Sequence, residues 1–82
     1  MRYFAVRDKA VEAFLPLFPA KTRSLAIRMV EDAARDPNGQ FAKHLADYAL
    51  FDMGDFDESS GMFTAYSGGP ELVVNFFEFK DG

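Results

Sequence analysis

Only one stretch of this chain carries an apolar period long enough for a helix, and that limits what the rest can build. Between Thr22 and Asp36, the residues Leu25, Ala26, Met29, Val30 and Ala33 recur at spacings of three and four, which gathers them on one side. Ser24, Arg28, Glu31, Asp32 and Arg35 gather on the other. Thr22 suits the N-cap, where its hydroxyl can accept from an unpaired amide of the first turn. "DPNG" (36–39) ends the helix, because Pro37 disfavours helical geometry at Asp36 and Gly39 suits a turn exit. The spacing predicts a helix from Arg23 to about Arg35. Glu31 and Arg35 stand four apart in the favourable order, a pair worth ~0.2–0.5 kcal/mol.

The remaining segments read as strands and turns. "RYFAVR" (2–7) alternates Tyr3 and Ala5 against Phe4 and Val6, the period of a strand. In "VEAFLPLFPA" (11–20), Pro16 and Pro19 exclude a continuous helix through Phe18. An extended or edge-strand segment is expected there, with a short helical turn before Pro16 as the alternative. "QFAKHLADY" (40–48) has room for one helical turn. Hairpin strands are expected at about 47–53 and 62–66. "ELVVNFFEF" (71–79) reads as a third strand, apolar on nearly both faces and so expected to be central or covered. The fold class that results is α+β: a single domain, 1–82, with one main amphipathic helix packed on a mostly antiparallel β-sheet.

The acidic stretch "FDMGDFDESSG" (51–61) invites a calcium or catalytic reading, and both fail. A calcium loop started at Asp55 finds ligands at Asp57 and Ser59, but places Ser60 where the sharp turn needs glycine and Tyr66 where a bidentate glutamate belongs. Started at Asp52, it places Gly54 at a ligand position. Carboxylates do acid–base work when burial or a like charge keeps one of them neutral. Asp55, Asp57 and Glu58 lie instead among polar turn formers, where ordinary ionisation is expected. The simpler reading is a hairpin turn, with Asp57 bonded back to the following amides and Gly61 at positive φ.

Composition excludes several other classes. There is no cysteine, hence no disulfide framework and no thiolate metal site, and the single His44 cannot anchor a multi-histidine metal site. No phosphate-binding glycine loop or nucleophile–base spacing is present, so neither enzymatic activity nor a cofactor is expected. No apolar run approaches the ~20 residues needed to span a bilayer, and the N-terminus lacks the apolar core of a secretory signal. The expected compartment is therefore a reducing cytoplasm. Ten phenylalanines and three tyrosines are a large supply of rings for 82 residues, so some are expected to face a partner. A second copy of the chain, another protein or stacked bases would serve, and a homodimer is the first expectation. Charge is uneven: residues 1–43 carry eight Lys and Arg against five acids, and residues 44–82 carry Lys80 against eight acids. The net charge of −4 argues against a coat of positive charge for duplex DNA, but one basic face is compatible with it.

Several short pieces, taken in order, resemble a known family. They are Asp8-Lys9-Ala10, Ala26-Ile27-Arg28, His44, Asp47-Tyr48, Leu50-Phe51, Gly54, Phe56-Asp57 and Gly61. Together they resemble the nonstructural protein of gokushovirus-type microviruses, tailless phages with single-stranded DNA genomes. That family usually has a proline and a glutamate between the histidine and the aspartate, where this chain has Leu45 and Ala46. The resemblance implies a DNA-binding protein of the host bacterial cytoplasm that supports single-stranded genome synthesis or packaging. Its implied partners are single-stranded DNA and phage replication or procapsid proteins.

Binding a single strand requires cations that follow phosphates and exposed rings on which bases stack. The cationic candidates are Arg2, Arg7 and Lys9 near the first strand, with Lys21, Arg23, Arg28 and Arg35 along the helix. Arg28 and Arg35 lie two turns apart on one face, and pairing with Asp32 and Glu31 is the competing use for them. Tyr3 and Phe41 are the nearest stacking rings and Tyr66 is a third; core or dimer packing is the competing use for each. His44, beside Lys43, would add positive charge at low pH or serve as a structural hydrogen bonder. The rival functional reading is an adaptor whose acidic, aromatic C-terminal half docks replication or procapsid proteins.

Overall fold

A computed structural model describes residues 1–80 of the protein. Helix α1 runs Arg23–Arg35, as its period predicts. The Thr22 hydroxyl accepts from the Leu25 amide at 3.1 Å, and Asp36 closes the C-terminus in an extended conformation just before Pro37. Its buried side differs slightly from expectation. Ala26, Val30 and Ala34 are buried, whereas Leu25 and Met29 lie at the rim and stay exposed.

The sheet is antiparallel throughout and has two long strands at its centre. β1 (Arg2–Asp8) pairs along its length with β4 (Tyr48–Asp57). On the outer side of β1 run two short segments, β2 (Ala13–Phe14) and β3 (Phe18–Ala20), split by Pro16. This is the expected edge segment, and Pro19 is tolerated in it because an edge strand has amides that need no ladder partner. On the outer side of β4 run β5 (Met62–Thr64) and β6 (Glu71–Asn75). The β4–β5 hairpin turn is built as expected. The Gly61 amide donates to the Asp57 carbonyl at 2.8 Å with φ 78° at Gly61, and Asp57 Oδ1 accepts from the Ser59 amide and hydroxyl.

The last apolar stretch departs from expectation. It is a strand only to Asn75, it lies at a sheet edge rather than the centre, and residues Phe76–Phe79 coil into a 3-10 turn. The reason lies in the helix. A contact face made largely of alanine leaves volume beneath α1, and Phe76 (0% exposed) and Phe79 fill it together with Phe4, Val6, Leu50 and Phe41. Three residues apart in a 3-10 turn, Phe76 and Phe79 share one side. A second 3-10 turn, Leu45–Asp47, precedes β4 where a single helical turn is expected.

This cluster lies on one face of the sheet, beneath α1 and the 76–79 turn, and Ala5 and Ala49 are buried on the other. No helix among the described residues is long and apolar enough to cross a membrane.

Candidate nucleic-acid interface

Strand alternation divides the side chains of the central strands between two faces. Phe4 and Val6 point to the core, as do Leu50 and Asp52; Tyr3, Ala5 and Arg7 belong to the other face. Residues opposite each other in an antiparallel pair share a face. Ala5 faces Phe51, Arg7 faces Ala49 and Phe14, and Phe51 also faces Leu72. No described helix covers this second face, and its rings remain partly exposed.

Two clusters of rings lie on it. Phe14 and Phe51 meet edge to face with centroids 5.5 Å apart, and the Arg7 guanidinium carbon stands 5.2 Å from the centre of the Phe14 ring. Farther along β1, Tyr3 meets Phe56 at 6.1 Å and Phe63 at 6.3 Å, again edge to face. These three rings and Leu17 line a concavity of about 240 Å³. Phe14 is 38% exposed and Phe63 41%. The surface can therefore offer apolar stacking at both clusters, with a cation at one of them.

The charges around this face are arranged along the strands. Asp55, Asp57 and Glu58 are exposed at the hairpin end, beyond Phe56 and Phe63. Arg7 and Lys9 lie at the opposite end, where Lys9 Nζ donates to Asn75 Oδ1 at 3.3 Å. From Ala49, opposite Arg7, to Asp57 is roughly 25 Å of strand rise.

The other candidates divide clearly. Arg2 and Arg23 converge on Asp52, which is 0% exposed. Arg2 Nη1 lies 2.8 Å and Arg23 Nε 3.0 Å from Asp52 Oδ2, and the Tyr66 hydroxyl donates to the same oxygen at 2.9 Å. Arg2 also donates to the Tyr66 hydroxyl oxygen, and Arg23 pairs with Glu71. The Gly54 amide completes the set at Asp52 Oδ1, 3.2 Å. Burial alone would push this carboxyl up, but the hydrogen bonds from Arg2, Tyr66 and Arg23 more than offset it and hold it below the usual range. Arg23 is pushed further up by Glu71, Tyr66 and Asp52. Both arginines are therefore engaged in a lock between the two halves of the chain, as is Tyr66, which is the use that competes with contact to a strand.

Phe41 is engaged in the same way. Its ring is buried edge to face against Tyr48 at 4.7 Å and Phe76 at 5.1 Å, so no base can reach it. Arg35 pairs with Glu31 at 2.9 Å, the competing use foreseen for it. Arg28 and Lys21 are exposed on or beside α1, on the side of the molecule opposite the rings. Tyr3, Arg7 and Lys9 remain from the original set. Phe14, Phe51, Phe56 and Phe63 were not singled out from the sequence; strand alternation alone could have found Phe51, which falls opposite in parity to Leu50 and Asp52.

The front-to-rear difference in charge is thus not sorted into two separate patches. The N-terminal amine pairs with Asp55 at 3.4 Å, and the two arginines join Asp52 and Glu71. Among the described residues, no three His, Cys, Asp or Glu side chains converge in a way that could hold a metal ion.

Fold and surface together define an α+β domain with one face of its sheet packed under a helix and the other open and ring-bearing. A model of the phage ORF5 protein family matches residues 1–79, and the chain belongs to that family. No curated protein and no solved structure matches it significantly.

Proposed function

We propose that this phage protein is a non-enzymatic single-stranded-DNA-binding protein that works through the open face of its sheet. The observation that carries the reading is the Phe14–Phe51 pair with Arg7 beside it, on a sheet face that no described helix covers. Open sheets with such rings bind single strands by stacking two or three bases, and each ring contributes ~1–3 kcal/mol. Arg7 and Lys9 would meet the phosphates at that end, while the acidic hairpin repels them at the other. The resemblance to gokushovirus nonstructural proteins supplies the setting: support of single-stranded genome synthesis or packaging, by holding the new strand away from conversion to duplex.

Titration with a short fluorescent oligonucleotide at two salt concentrations tests this. Binding that weakens steeply with salt, and that Phe14→Ala weakens further, is the expected result. Absence of binding at low salt eliminates the reading.

A second reading rests on the hairpin end. Met62 and Phe63 are exposed there beside Asp55, Asp57 and Glu58, an apolar and acidic surface that suits an adaptor docking replication or procapsid proteins. A homodimer formed through the open face would cover the same rings that bases need, so dimerisation and DNA binding would then compete.

A further inference from the structure

The 3-10 turn at 76–79 leaves one ring without a place in the core. Phe76 and Phe79 are buried on the same side of the turn, and Phe77 is turned out, 49% exposed. It forms one wall of a cleft of about 410 Å³, within the usual range for small-molecule sites of about 300–1,000 Å³. The facing wall is the segment ahead of β4, which contributes Lys43, His44 and Asp47. That wall is held by backbone bonds from the His44 amide to the Phe41 carbonyl (3.0 Å) and from the Asp47 amide to the His44 carbonyl (2.9 Å). Lys80 closes the cleft beside the ring, its Nζ 5.5 Å from the Phe77 centroid.

Among the described residues the lining therefore combines an exposed aromatic face, two ammonium groups, an imidazole and one carboxylate. Packing does not call for this set: neither Phe77 nor either lysine contributes to the buried cluster, and neither lysine has an ion pair among the described residues. A phosphate suits Lys43 and Lys80. A planar base suits the Phe77 ring, where Lys80 already occupies a cation–π position. Asp47 can accept from a base amino group or a sugar hydroxyl. The ligand that uses all three chemistries at once is a nucleotide.

We propose that this cleft is a nucleoside monophosphate site, with the base on Phe77 and the phosphate between Lys43 and Lys80. The ligand could be a free mononucleotide or the phosphorylated end of a DNA strand, and the chemistry is shared. The cleft opens at the same end of the sheet as Arg7 and Lys9. The proposal nevertheless stands apart from the reading of the open face, because the cleft shares no residue with the Phe14–Phe51 pair.

The test is a calorimetric titration of the full chain with dAMP and, separately, with inorganic phosphate. Saturable dAMP binding is expected, at least about tenfold tighter than phosphate. Phe77→Ala should remove that advantage while leaving phosphate affinity unchanged, Lys43→Ala should weaken both, and Phe14→Ala should leave both unchanged. Equal affinity for dAMP and phosphate, or no saturable dAMP binding into the millimolar range, overturns the site. Circular dichroism of Phe77→Ala confirms that it folds; if it does not, Lys80→Ser serves in its place and should weaken dAMP binding. Oligonucleotides with and without a 5′-phosphate then separate the two sources. A preference for the phosphorylated strand that Phe77→Ala abolishes assigns the site to strand ends, and equal binding assigns it to free nucleotide. Loss of oligonucleotide binding in Phe14→Ala with dAMP binding intact would speak to the open face alone.

Discussion

At the scale of single residues, Asp52 holds the most consequential position. It is a fully buried carboxylate that accepts from Arg2, Arg23, Tyr66 and the Gly54 amide, and so ties the first strand, the start of the helix and the loop after β5 to β4. Both arginines are about half exposed, so water can replace part of what they lose. Asp52→Asn is therefore expected to cost about 2–3 kcal/mol, less than breaking a fully buried pair. Urea denaturation measures this directly. The pH dependence has a definite sign. A carboxyl held below its unfolded value of ~3.9 stabilises the fold fully at neutral pH, and loses that contribution as pH falls from about 5 toward its folded value. The stability gap between wild type and Asp52→Asn should narrow over that window. Gly54, two residues on, follows a bulge that leaves Met53 out of the pairing with β1. Its φ is 135°, and an added Cβ would collide with the Thr64 carbonyl oxygen. Gly54→Ala is expected to cost about 2–3 kcal/mol by the same denaturation assay. Asp52 was legible in part, since Tyr48, Leu50 and Asp52 alternate inward. Its partners were not, because Arg2, Arg23 and Tyr66 come together only through the sheet register and the docking of the helix.

At the scale of elements, α1 was readable nearly to the residue because its cap, period and proline stop all agree. Thr22→Ala should cost about 1 kcal/mol, read from the urea midpoint. The edge segment was readable from its prolines and the hairpin from Asp57 and Gly61. The last strand was not, because "VVNFFEF" is equally apolar whether it extends or coils. What decides is the volume left beneath an alanine-faced helix, a quantity that exists only once two elements have packed. The two faces of the sheet should respond differently to the same substitution. Phe76→Ala, in the core, is expected to cost about 3–5 kcal/mol. Phe14→Ala, on the open face, should cost much less stability yet weaken oligonucleotide binding by ~1–3 kcal/mol. A Phe14→Ala variant that loses stability like a core variant would mean the face is structural.

At the scale of the whole molecule, part of the uneven charge of the sequence is paired across the fold, around the one buried carboxylate, Asp52. Arg2 and Arg23 meet Asp52 and Glu71, and what remains outside is arranged along a body 43 Å long and 19–23 Å across. The acidic hairpin stands at one end of the open face, and Arg7 and Lys9 at the other. A strand bound to this face should therefore lie toward the Arg7 end, and Arg7→Glu should weaken binding more at low salt than at high salt. The most direct test of the open-face account is a map of backbone amide shifts as a short single-stranded oligonucleotide is titrated at low salt. The account predicts the largest changes at Ala5, Arg7, Phe14 and Phe51, with α1 unmoved. Changes centred on Arg28 and Lys21 beside the helix, or none anywhere, would contradict it.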